Sequence, residues 1–249
     1  MTYLFPLYRL HDWASSLLAT HFLLIKRTLL VVAHLALFGL LFPELRRNFG
    51  SAAELMLLGV LFLSPVSKIL RTRILLQLMA LRREMGIMMG YLATVHGLGY
   101  FIDPDWAGSI TALFQETGLS GESIPYFLGL VAYGITLPLL LTSNVWDQRS
   151  LGGINWKRLH RMVYVVLPLV LIHHFSIQRG ISPLALIQAA LITFAYISLK
   201  LLAWQNFLPP LKRGIDAVAK SYRDYNLSRQ SQETKTLWGR RHFMVHWSS

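Results

Sequence analysis

Six apolar runs, each long enough to cross a bilayer, constrain this chain more than any other feature. They cover about Phe22 to Phe42, Ala52 to Ile69, Glu84 to Ile102, Ile124 to Leu141, Trp156 to Gln178 and Pro183 to Trp204. A helix needs about 20 mostly apolar residues to span the hydrocarbon core. Lipid offers no hydrogen bonds to the main chain, so a spanning segment must satisfy its own, and helices do so within one segment. The expectation is therefore an all-α, integral membrane six-helix bundle. Composition agrees, with 54% hydrophobic and 14% charged residues and a mean hydropathy of +0.45.

The chain divides into three parts. Residues 1–25 form an N-terminal cytoplasmic or interfacial segment, because the apolar stretch Trp13 to Ile25 is too short to span. Residues 26–204 hold the spans, with Lys26 and Arg27 snorkelling at the start. Residues 205–249 form a polar tail with eight basic and three acidic residues, expected in the cytoplasm. Between the spans, Pro43 to Gly50 reads as a turn, Asp103 to Ser123 as a long loop, and Thr142 to Asn155 as a polar turn.

Charge sets the orientation. Lys68, Arg71, Arg73, Arg82 and Arg83 lie between spans two and three, and Arg149, Lys157, Arg158 and Arg161 border spans four and five. The opposite loops carry only Arg46 and Arg47, no basic residue, and Arg179 respectively. The positive-inside rule then puts both termini in the cytoplasm. The formal net charge of +12 belongs to these membrane flanks and to contact with anionic lipid, so no nucleic-acid partner is expected. Cysteine is absent, which excludes disulfides, iron–sulfur clusters and thiolate-ligated haem.

Ionisable groups are costly inside lipid and mark function there. His96 lies 13 residues beyond Arg83, and His173 lies 12 beyond Arg161. At 1.5 Å rise per residue, both sit roughly 18–20 Å from a cytoplasmic anchor, at one depth on two helices. Two imidazoles so placed suit the two axial positions of a haem iron. His160 stands apart at the cytoplasmic edge, either as a ligand there or as an interfacial titratable group. His34 reads as a core histidine, and Met85, Met88 and Met89 as packing. His242 and His246, with Trp238 and Trp247, read as an amphipathic surface segment.

The strings LRREMGIMMGYLATVHGLGY, LPLLLTSN and LGGINWKRLHRMVYVVLPLVLIHHF resemble the ferric-reductase-like transmembrane domain family. The likeness runs from about Thr28 to Trp204, and within the family it is strongest to the haem-binding membrane subunits of periplasmic methionine sulfoxide reductase systems. It implies a bundle with b-type haem between helices 3 and 5, cofactor contacts at His96, His160 and His173, and haem iron on His96 and His173. In related superoxide-producing and ferric reductases the third helix has two histidines about 14 apart. Here Arg82 occupies the inner position, so one haem b is expected, with two as the alternative. Ideal helix phase would make His174 the companion of His160, whereas the family register selects His173; Pro168 between them can shift the phase.

The implied function is an electron-transfer subunit of an oxidoreductase system in the bacterial inner membrane. Electrons would arrive on the cytoplasmic side from quinol or a separate flavin reductase, with FMN as a candidate second cofactor. They would leave to a periplasmic reductase catalytic subunit docked at the acidic outer loop that holds Asp103, Asp105, Glu116 and Glu122. A ferric or other metal reductase membrane subunit is the alternative within this class. A proton-coupled transporter using His96, His173 and Glu54 is the alternative outside it, although no internal repeat or broken helix pair supports that reading. The tail is too short for flavin and dinucleotide domains, and no GxGxxG fingerprint occurs.

Overall fold

A computed structural model describes residues 5–118, 123–177, 181–205 and 220. Ten α-helices follow in order among them: α1 Phe5–Thr20, α2 Phe22–Leu35, α3 Arg46–Leu70, α4 Arg73–Ala80, α5 Arg82–Ile102, α6 Pro104–Thr117, α7 Ile124–Leu141, α8 Val145–His160, α9 Val163–Ser176 and α10 Pro183–Gln205. No strand occurs among the described residues. Among the described residues six helical stretches are long and apolar enough to cross a membrane, namely Phe22–Leu41, Pro43–Leu70, Arg82–Ile102, Ile124–Leu141, Val145–Ser176 and Pro183–Trp204. The all-α, six-span architecture expected from hydropathy is the one observed.

The centre of the bundle lies where α3, α5, α7, α9 and α10 meet. Leu57 and Leu61 of α3, Met89 of α5, Ala132 of α7, Leu167 and Leu171 of α9, and Tyr196 of α10 are buried in one cluster. A second cluster seats α2 through Ala33 against Ala53, Met88 and Leu92. Gly90 brings α5 close to α7, since a Cβ there would stand 2.8 Å from Leu140. With apolar lipid as the solvent, such close contact is what holds the helices together. One buried acid crosses this packing: Glu84, 1% exposed, pairs with Lys26 of α2 at 3.2 Å.

Three segments depart from the expected loops. Pro43 to Gly50 is not a simple turn, because a 3-10 turn over Pro43–Leu45 leads straight into α3 at Arg46. Asp103 to Ser123 is largely helix α6. Asp103 caps it by accepting from the Asp105 and Trp106 amides, Pro104 occupies the first turn, and Gly118 stops it with φ 57. These are ordinary helix start and stop signals, set in a segment whose polarity resembles that of a loop. Thr142 to Asn155 likewise contains most of α8, capped by Asn144 and bent at Gly152 with φ 72.

The fifth apolar run is not one straight helix. Between α8 and α9 the chain tightens, with Tyr164 N–H donating to the Arg161 carbonyl at 3.0 Å and Val165 N–H to Met162 at 2.9 Å. Pro168 lies within α9 and has no N–H for the Tyr164 carbonyl, four residues back. The phase between His160 and the later histidines is therefore reset at this turn, ahead of the proline.

Candidate functional site

α5 carries His96 and α9 carries His173, and the bundle sets their rings face to edge with centroids 6.2 Å apart and planes at 70°. Each ring is held from behind by another helix. The Nδ1 of His96 is 3.0 Å from the carbonyl of Arg46, and the Nδ1 of His173 is 2.8 Å from the carbonyl of Pro125. A carbonyl can only accept, so Nδ1 carries the proton in both rings and Nε2 keeps its lone pair.

The same device supports both rings. Four residues after each accepting carbonyl stands a glycine, Gly50 on α3 and Gly129 on α7. A Cβ at Gly50 would stand 2.6 Å from the His96 ring, and one at Gly129 would stand 2.7 Å from the His173 ring. Positions i and i+4 share a helix face. The missing side chain therefore opens a seat one turn beyond the carbonyl that orients the imidazole. The sequence signal of each seat is a glycine near the start of a spanning helix, four residues after Arg46 in α3 and five after Ile124 in α7.

Both rings line a cavity of about 1070 Å³. Its wall is mostly apolar and aromatic, with Tyr100, Trp106, Phe114, Tyr126 and Tyr133 contributing. The α6 helix closes one side. Its N-terminus is fastened by the Arg46 guanidinium, which donates to Asp103 at 2.6 Å. That contact holds the Asp103 carboxyl below the usual carboxylate range, the Arg46 hydrogen bond being the main cause.

The other histidines are differently engaged. His174 projects from the next position on α9 and pairs through Nδ1 with Glu54 of α3 at 2.8 Å, at the edge of the same cavity. His160 stacks on Trp156 with centroids 4.1 Å apart, and its Nε2 is 3.2 Å from the Thr142 hydroxyl. That hydroxyl spends its proton on the Pro138 carbonyl at 2.7 Å, so it accepts from His160. His160 thus has Nε2 protonated, the reverse of His96 and His173. His34 bonds the Leu30 carbonyl at 2.7 Å and packs on Tyr91. The structure brings His96 and His173 together, sets His174 beside them and leaves His160 outside the cavity. His242 and His246 lie outside the described residues.

These residues fit a metal-centred planar group between α5 and α9. Imidazole–metal bonds are about 2 Å long, so two imidazoles on opposite sides of one ion have ring centroids roughly 6 Å apart. A hydrogen bond from the second nitrogen to a carbonyl is the usual way a ligating histidine is oriented. No cluster of three or more His, Asp or Glu suited to a bare metal ion occurs among the described residues.

Fold and site together define a multi-pass helical membrane protein with paired imidazoles facing a common intramembrane cavity. Residues 49–171 match the family described as ferric reductase like transmembrane component. A protein of Yersinia pseudotuberculosis, named as the haem-binding subunit MsrQ of protein-methionine-sulfoxide reductase, is 32% identical over 174 residues, covering 68% of this chain and 78% of the relative. Its Yersinia pestis counterpart of the same name is also 32% identical, with 77% of its length covered. No solved structure matches. The chain belongs to the ferric-reductase-like transmembrane family.

Proposed function

We propose that this chain is the haem-binding, electron-transferring membrane subunit of a reductase system in the bacterial inner membrane. It takes electrons from a cytoplasmic-side donor, quinol or a separate flavin reductase, and delivers them to a periplasmic reductase such as methionine sulfoxide reductase. The observation that carries this reading is the pair of carbonyl-anchored imidazoles, His96 and His173, facing one cavity from two spans. The names of the relatives favour the sulfoxide reductase system over a metal reductase.

His96 and His173 would hold haem b through Nε2, each oriented by its Nδ1–H on a main-chain carbonyl. Bound there, haem supplies one-electron redox chemistry within the membrane. The protein's part is to orient the two rings, to keep the apolar wall around the group dry, and to present an acceptor surface. Because His160 uses Nε2 as a donor to Thr142 and Arg82 stands where a second partner would be, one haem is the reading supported here. His160 and Trp156 would then shape the donor face instead.

The acceptor surface is α6, whose Asp105 and Glu116 are exposed and which carries no Lys or Arg. Asp103 leaves the docking set proposed from sequence, because it is committed inward to Arg46 and to the cap of α6. Glu122 lies outside the described residues. Surface acids of this kind steer encounter with a basic partner more than they add affinity.

Haem-to-protein ratio and the reduced visible spectrum of the purified protein test the proposal. Wild type, His160→Ala and His174→Ala should retain haem, whereas His96→Ala and His173→Ala should lose it. A colourless wild-type protein, or full haem in His96→Ala, would sink the reading.

A further inference from the structure

The two histidine seats are alike in geometry but differ in how their carbonyls are mounted. Pro125 is fully buried, and its ring leaves the main chain little freedom. Arg46 is also buried, at 5% exposure, but it is a long cation held by its ion pair to Asp103. Its Nε has no hydrogen-bond partner among the described residues. Its aliphatic stem lies against Gly99 of α5, where a Cβ would stand 3.1 Å from Cδ. Its guanidinium stands 5.8 Å from the ring centre of Tyr100, which itself meets His96 edge-on at 5.3 Å. The residue whose carbonyl orients His96 is thus fastened, through its side chain, to the carboxylate that also caps α6.

We propose that Arg46 is the positioning residue of His96, and that the Arg46–Asp103 pair makes the orientation of that imidazole depend on how α6 is seated. The inference rests on the haem reading above and adds a coupling that the reading does not contain. Arg46 and Asp103 do not line the cavity. They act through the His96 Nδ1 hydrogen bond. A firm Nδ1–H to carbonyl bond makes the imidazole a stronger donor and favours the oxidised metal. Loosening that bond raises the midpoint potential. A partner that moves α6 on docking would change the potential of the group that His96 holds.

The sign of the shift separates this mechanism from simple electrostatics. Arg46→Met removes a cation, so charge alone would lower the midpoint potential, whereas loss of positioning raises it. Asp103→Asn removes an anion, and both effects then raise it. Spectroelectrochemical titration and the ferric electron paramagnetic resonance spectrum of full-length protein in detergent measure both quantities. The expected result is a raised potential and a changed low-spin signature in Arg46→Met and Asp103→Asn, with both largely restored in Arg46→Lys. If Arg46→Met loses haem, a raised potential with a changed signature in Asp103→Asn still supports the proposal. A lowered potential in Arg46→Met with an unchanged signature would assign the effect to charge and overturn it. So would wild-type values in both variants with haem retained. Absence of haem from wild type would overturn the reading beneath it.

Discussion

At the scale of single residues, the site depends on what is missing as much as on what is present. Gly50 and Gly129 let two imidazoles lie against helix backbones at 2.6 and 2.7 Å from where a Cβ would be. Neither ring can retreat without giving up its carbonyl, because Nδ1 is bonded at 3.0 and 2.8 Å. Gly50→Ala and Gly129→Ala should therefore lower haem retention several-fold and destabilise the bundle by about 1–3 kcal/mol, the usual cost of an overpacked site. Gly86→Ala is the control, since its Cβ meets nothing within 4 Å. Haem content and thermal unfolding in detergent check this, and equal behaviour of all three would discount the seats. The histidines were legible in the sequence because ionisable groups at one depth are conspicuous in apolar runs. Their supports were not, because a main-chain carbonyl leaves no mark on the sequence and either of two adjacent histidines satisfies a depth argument.

At the scale of elements, α6 is the segment that polarity concealed. It begins with Asp-Pro and stops at a glycine with positive φ, yet its acids and lack of a long apolar run read as loop. Its N-terminus depends on one carboxylate, which accepts from two of its own amides and from Arg46. The folded Asp103 value is depressed below the ordinary 3.8. The contribution is therefore present above that ordinary value and is lost as pH falls through the lower, folded one. The protection of amides 105–117, taken as the exchange rate relative to the intrinsic rate at each pH, should stay constant from neutral pH down to about 4 and fall only below it. Asp103→Asn should remove the acid step. An unchanged acid step in that variant would show that another group governs α6.

For the molecule as a whole, six spanning stretches put the region between α5 and α7 opposite the region between α7 and α9. With the basic residues Arg149, Lys157, Arg158 and Arg161 on the latter side, reporter fusions at Gly108 and Gly152 should report opposite compartments, Gly152 in the cytoplasm. Same-side reporting would overturn the span count. Hydropathy, charge placement and residue spacing are local properties, and they alone determined the all-α class, the six spans and the common depth of His96 and His173. They could not decide which way a ring faces, since that depends on helix phase, and here a tightened turn at Arg161 to Val165 resets the phase between His160 and His173. Nor could they pair Arg46 with Asp103 across 57 positions, or His174 with Glu54. Those choices were made only when α3, α5, α7 and α9 packed, because a side chain's partner in lipid is whatever polar group the neighbouring helix brings to its level.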